Sequence, residues 1–203
     1  RAFGSQYYSD NPALYKSDSA SIKEYSKSSC LSFIMKIILV TGIYPPDIGG
    51  PATYVRAIAE ELTGQGVEVV VVTYTSNDEV RGANQVKDTW AVVHVSKFLP
   101  IVRWFLCAKA LRRVGKDADA VIAFSSVSCG IPLWISQLKK PKKILRLGGD
   151  FLWERYTDRR GMKGLREWTV DSGQWNVWKK LYVRLLSTFD HIVFSTRFQE
   201  EIY

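Results

Sequence analysis

Two short clusters hold the residue types that could handle a phosphorylated or polar ligand. The first is Tyr44-Pro45-Pro46-Asp47-Ile48-Gly49-Gly50, followed by Pro51. Two glycines ahead of a helix remove side chains where backbone N–H groups could approach a phosphate, and a helix start adds the positive end of its dipole. Tyr54, one turn further on, is a candidate substrate contact. The second cluster is Arg146-Leu147-Gly148-Gly149-Asp150-Phe151-Leu152-Trp153-Glu154. Gly148 and Gly149 permit a sharp turn that carries Asp150 to a rim. There its carboxylate can accept hydrogen bonds from hydroxyls or stabilise a developing positive charge. Arg146 and Arg155 can pair with a phosphate, and Arg155 lies close to Glu154. Bland readings stand beside both clusters: a tight loop without a ligand for Gly49-Gly50, and a helix N-cap for Asp150.

The elements that must position these clusters are legible from periodicity. Lys36–Thr41 is a short apolar run with little alternation, as expected of a strand covered on both faces. The two prolines hold the exit loop extended, and Pro51 suits the first turn of a helix, where a missing N–H costs little. Val55, Ile58, Ala59 and Leu62 form one apolar stripe, and Gly64 and Gly66 end the helix. Val67–Thr73 reads as a second buried strand, which completes a βαβ unit. Further strands are expected at 91–95, 120–124, 143–147 and 191–195. Helices are expected at 101–114, with Val102, Phe105, Leu106, Ala110 and Leu111 on one side, at 131–138, and at 174–188. Ser195 is expected to cap a last helix. Strands alternating with helices define an α/β, Rossmann-like fold with a mainly parallel sheet and helices on both faces. Both clusters follow strands, so both fall at the carboxyl edge of that sheet.

Several activities are disfavoured. After Thr41-Gly42, a nicotinamide-binding fingerprint would need glycines where Pro45 and Ile48 stand. The second strand ends at Thr73-Tyr74-Thr75 without the carboxylate that would hold a ribose. His94 and His191 are the only histidines, both in strand-like segments, and Cys30, Cys107 and Cys129 are widely spaced, so no metal site or disulfide framework is expected. Cys107 and Cys129 read as small core residues. Ser125 and Ser126 lack the glycine pattern of a hydrolase elbow.

The first strand, the P-P-D-I-G-G loop and the helix ending Leu62-x-x-x-Gly66-Val67-Glu68-Val69 resemble the amino-terminal domain of family 4 glycosyltransferases, which pair two facing Rossmann-like domains. Asp190-His191-Ile192-Val193-Phe194-Ser195 is similar to a later strand of that domain. Val67 stands where the family usually has His. The resemblance spans residues 35–203 and implies the first, acceptor-side half of a GT-B architecture. It also implies a metal-independent, retaining transfer of sugar from a nucleoside-diphosphate donor to an acceptor hydroxyl, with no cofactor. It places Gly49 and Gly50 at the donor diphosphate and Asp150 at the transferred sugar, with Tyr54, Arg146, Gly149 and Arg155 as further substrate contacts. The donor would be held chiefly by a carboxy-terminal domain that carries two glutamates separated by seven residues. Glu60 and Glu68 have that spacing, but one falls on the first helix and the other starts the next strand, so the match is a coincidence. The partners implied are a nucleotide-sugar, a sugar, lipid-linked or small-molecule acceptor, and the second domain. Without that domain the chain is expected to be inactive. A non-catalytic nucleotide- or phosphate-binding α/β domain is the alternative.

Composition fits such a domain: 46% hydrophobic residues and net charge +8. The charge is uneven, with six Lys/Arg and no acid from Thr89 to Lys116, and ten Lys/Arg against three acids from Lys139 to Arg166. Lys139, Lys140, Lys142 and Lys143, with Trp134, Trp153 and Trp168, could face an anionic membrane surface. No nucleic-acid motif accompanies the charge. With no secretory signal and no run long enough to span a bilayer, the expected location is cytoplasmic, with peripheral membrane attachment. Residues 1–34 carry nine serines and no sustained period. They read as a weakly structured leader ahead of the domain at 35–203, which ends before any donor-binding domain.

Overall fold

The structure is a computed structural model that describes residues 35–76, 84–85, 89–97, 99–149, 157–158, 164 and 178–202. The chain divides into two units, Arg1–Ser32 and Phe33–Tyr203, and the first lies outside the described residues. The second is built on a seven-stranded sheet.

Strand β1 (Lys36–Thr41) feeds helix α1 (Gly50–Gly64), which returns to β2 (Glu68–Thr75). There follow β3 (Asn84–Gln85), β4 (Ala91–Ser96), α2 (Pro100–Val114) and β5 (Ala120–Ala123). A π-helical turn (Ser126–Gly130) then opens α3 (Ile131–Ser136), and β6 (Lys142–Leu147), α4 (Trp178–Leu186), β7 (His191–Phe194) and α5 (Arg197–Ile202) complete the order. The strands lie in the order β3-β4-β2-β1-β5-β6-β7. Among the described strands only β3, which the sequence pattern did not reveal, runs antiparallel, against β4. The other six are parallel. Their order reverses between β1 and β5, the arrangement of doubly wound dinucleotide-binding sheets, in which ligands sit outside the strand carboxyl ends at the reversal point.

β1 shows why these strands read as continuous apolar runs. Ile38 and Val40 enter one core with Cys107, Leu111, Leu133, Leu145 and Tyr182, whereas Ile37 and Leu39 enter the opposite core with Val55, Ala59, Val71 and Trp90. A strand covered on both faces has no polar side to display. The stripe expected on α1 is observed: Val55 and Ala59 are fully buried, and Ile58 and Leu62 pack against the same core. Gly66 ends this turn with φ +80°, where a side chain would be strained.

Four expectations need correction. The loop after β1 is turned, not extended: Asp47 N–H donates to Tyr44 O at 3.0 Å across Pro45-Pro46, whose peptide bond is cis. On α2, Ala110 and Leu111 pack on the core as expected, but Val102, Phe105 and Leu106 are exposed, and Cys107 and Ala108 are buried instead. The apolar stripe there is wider than the buried one. The segment after β5 starts as a π-helical turn capped by Ser125, whose Oγ accepts from Ser128 N–H, and α3 stops at Ser136 because Gln137 takes up a left-handed conformation, φ 51°. Thr196, not Ser195, caps α5: its Oγ1 accepts from Gln199 N–H at 3.2 Å, while Gln199 Oε1 accepts from Ser195 N–H.

At the amino edge of the sheet, carboxylates hold strand starts. Asp119 accepts from Lys36 N–H and Asp190 from Lys143 N–H, each at 2.8 Å. The Lys143 N–H, with the charges of Lys142 and Lys143, holds the Asp190 carboxyl below the usual carboxylate range. A lowered folded-state pKa contributes stability that is present above about pH 4 and lost as pH falls through the folded value. Asp190→Asn is therefore expected to flatten the loss of stability between neutral and strongly acid pH, read from denaturant unfolding at each pH. An unchanged slope would show that this bond has no linkage.

Candidate functional site

The loop between β1 and α1 is held at three points. Thr41 Oγ1 donates to Ile43 O at 2.9 Å, Trp90 Nε1 donates to Tyr44 Oη at 2.9 Å in the buried layer, and Lys97 Nζ meets Asp47 Oδ2 at 2.7 Å. The last is half-exposed and contributes about 1 kcal/mol or less. The Trp90–Tyr44 bond lies inside the core, where losing a partner costs more, about 1–3 kcal/mol. The loop therefore reaches α1 with a fixed course.

The start of α1 has no side-chain cap and no acidic residue in its first turn. Ala52 and Thr53 N–H both turn back to Gly49 O, at 3.0 and 3.2 Å, and Asp47 N–H is spent in the turn. The amides from Asp47 to Thr53 are thus less open than the sequence suggests. Gly50 stays exposed, as does Ile48 two residues before it. The two glycines also differ in kind. A Cβ on Gly49 would fall 2.7 Å from Ile43 Cδ1, so Gly49 is a packing glycine. A Cβ on Gly50 would meet nothing within 4 Å.

Three side chains stack beside this helix start. Phe124, at the end of β5, meets Tyr54 edge-to-face with ring centroids 5.9 Å apart. The Arg146 guanidinium lies 4.6 Å from the Tyr54 ring centroid, a cation–π contact. Gly148 leaves room for that guanidinium, since a Cβ there would sit 3.0 Å from Arg146 Nη1. Ser195, after β7, donates to Leu147 O at 3.2 Å and fixes the same turn from the other side. The structure thus brings Gly50, Tyr54, Arg146 and Gly149 to one sheet edge, with Gly49 behind them. Asp150 and Arg155 lie outside the described residues. Phe124 and Ser195 were not singled out as site residues, because an aromatic residue ending a strand and a serine after another carry no spacing signal.

On the other side of β1, Tyr74 Oη donates to Ser128 O at 2.7 Å, and Arg103 stacks on the Tyr74 ring at 5.7 Å. Burial pushes the Tyr74 hydroxyl far above its ordinary value and the Cys107 thiol up to about 12, so neither supplies a nucleophile near neutral pH. His94 and Thr73 stand in register on β4 and β2, and His94 Nδ1 and Thr73 Oγ1 are buried without a partner among the described residues. Burial lowers the His94 pKa against the raising field of Asp47, which keeps the imidazole neutral. Glu68 pairs with Lys36 at 3.2 Å, which gives it a structural role. Among the described residues no group of three His, Cys, Asp or Glu could hold a metal ion.

A Rossmann-like sheet with this order, and an uncapped helix start at its reversal point, define an α/β domain of the doubly wound class. The model of glycosyltransferase family 4 matches residues 48–203, and the chain belongs to that family. Among solved structures, the chain is similar to sucrose-phosphate synthase from Thermosynechococcus elongatus, with TM-score 0.58 and 13% identity over 82% of this chain. At that identity the likeness shows the fold, half of a GT-B glycosyltransferase. The match spans 44% of that enzyme's chain. No curated protein matches the sequence.

The contrast between the glycines is testable by denaturant unfolding. Gly49→Ala should cost about 1 kcal/mol, because Ile43 must give way, and the cost should vanish in an Ile43→Val background. Gly50→Ala should stay within about 0.5 kcal/mol of the parent. Equal costs at both positions would contradict the assignment.

Proposed function

We propose that this chain is the acceptor-side half of a retaining glycosyltransferase that moves a sugar from a nucleoside-diphosphate donor to an acceptor hydroxyl. The observation that carries this reading is the open backbone at Gly50, at the uncapped start of α1, beside the Arg146 guanidinium stacked on Tyr54. As the bond from the anomeric carbon to the diphosphate breaks, negative charge grows on the departing phosphate oxygen. The helix start and the guanidinium are placed to stabilise that charge without reorganising. Asp150, the residue after Gly149, is assigned to the positive charge that develops on the sugar. The acceptor oxygen then bonds to the anomeric carbon, and its proton leaves with the diphosphate.

The family supports sugar transfer in general terms. Donor diphosphate contact by Gly49 and Gly50, substrate contact by Tyr54, Arg146, Gly149 and Arg155, and the need for a second Rossmann-like domain belong to this proposal. So do a sugar, lipid-linked or small-molecule acceptor and a cytoplasmic location. In such a scheme Gly49 acts indirectly, by letting the loop pack on Ile43 so that Gly50 faces the crevice.

Titration of the chain with ADP, GDP and UDP tests the reading. At least one should bind with Kd of about 1 mM, since half of the cleft supplies half of the contacts. Gly50→Trp should abolish this binding without unfolding the domain, and Arg146→Ala should weaken it several-fold. Equal binding by the parent and Gly50→Trp would remove the loop from the mechanism. The chain alone should show no measurable sugar transfer, and turnover without a second domain would contradict the division of labour.

A further inference from the structure

The three helices α2, α3 and α4 pack on the face of the sheet that carries Ile38, Val40 and Leu145. Within that layer α2 contacts β4 and β2 on one side and α3 on the other. Its outward surface is unusual. Leu99, Ile101, Val102, Phe105 and Leu106 are all exposed, Ile101 by 64% and Phe105 by 59%, although the core was available to apolar side chains. The same outward stripe continues as Lys109, Arg112, Arg113 and Lys116, with no acid anywhere from Leu99 to Lys116. The helix is thus apolar at its start and cationic at its end, along one surface. No ion pair among the described residues uses these four cations, and Arg112 donates to Ser136 O and Ile135 O, which braces α2 against α3.

A contiguous apolar patch rimmed by charge marks an interaction site. Its charge pattern selects the occupant. We propose that α2 docks this domain on an anionic lipid surface, with its apolar first half in the headgroup–acyl boundary and its cationic second half on lipid phosphates. An apolar helix face enters that boundary by about 5–10 Å, and Leu99 to Leu106 supplies about two turns of such a face. Cations that follow the apolar turns along the same stripe can reach phosphates outside the acyl region. The start of α2 lies at the strand carboxyl edge, since the helix follows β4 and precedes β5 in a parallel sheet. Docking through that start turns the rim holding Gly50 and Arg146 toward the lipid. The inference stands without the sugar-transfer reading, because it rests on α2 alone. It also moves the lipid contact away from the lysines at 139–143. Lys142 starts β6 at the opposite edge and pairs with Asp190, and Lys140 is held by Asp117 O and Asp119. No helix among the described residues is long and apolar enough to cross a membrane.

Vesicle flotation of the full chain tests the assignment. The chain should float with vesicles of phosphatidylcholine mixed with phosphatidylglycerol and stay behind with phosphatidylcholine alone. Ile101→Ser/Phe105→Ser should reduce the bound fraction at least about tenfold, and Lys109→Glu/Arg113→Glu should do so in proportion to how little salt is present. Both pairs are exposed, so circular dichroism should be unchanged, and the charge pair tests the idea even where the serine pair fails to fold. Absence of flotation with the anionic vesicles would overturn the proposal, as would flotation indifferent to both pairs. A concentration-dependent dimer that Phe105→Ser dissolves would overturn it too, because the face would then belong to a second copy of the chain.

Discussion

The buried hydrogen bond from Trp90 to Tyr44 is the constraint on which the site depends. It joins the residue just ahead of β4 to the loop that leaves β1, and it does so inside the core that β1, β2 and α1 share. A glycine-containing loop would otherwise sample many conformations, and each residue fixed costs about 1–2 kcal/mol of entropy. With the Thr41 and Lys97 contacts on either side, the loop arrives at Gly49 already directed. Gly49 then packs on Ile43, and Gly50 is left as the open backbone at the start of a helix without a cap. The ordering of the loop is therefore supplied by folding and need not be supplied by a ligand.

The same logic explains the aromatic bridge. Tyr54 stands on α1, Phe124 on the end of β5 and Arg146 on β6, so the stack spans the point where the strand order reverses. An arginine that stacks on a ring through the flat side of its guanidinium can still offer its N–H edge to a ligand. Gly148 is needed for room, and Ser195 pins the turn that carries it. Four segments distant in sequence thus converge on one rim by topology, with no local motif linking them.

Much of this was legible before any coordinates. The alternation of strands and helices, the parallel sheet, the α1 stripe and the positions of Gly50, Tyr54, Arg146 and Gly149 at one edge follow from periodicity and from the rule for strand carboxyl ends. Three things were hidden. The turned loop depends on Tyr44 and Asp47 meeting across the prolines, which no propensity scale encodes. The distinct duties of Gly49 and Gly50 depend on where Ile43 points. The exposure of Phe105 and its neighbours was missed because periodicity finds an apolar stripe but does not say what covers it, and here the core takes Cys107, Ala108 and Leu111, with Ala110 and Val114 partly buried beside them.

The most direct test of the central claim is an amide NMR titration of the labelled chain with the diphosphate that binds best. The account predicts that the Gly50 N–H and the Arg146 side-chain N–H signals shift together along one saturable curve, while the amides of Ala52 and Thr53, already bonded to Gly49 O, move less. Shifts confined to other edges of the sheet, with Gly50 and Arg146 unmoved at saturation, would contradict it.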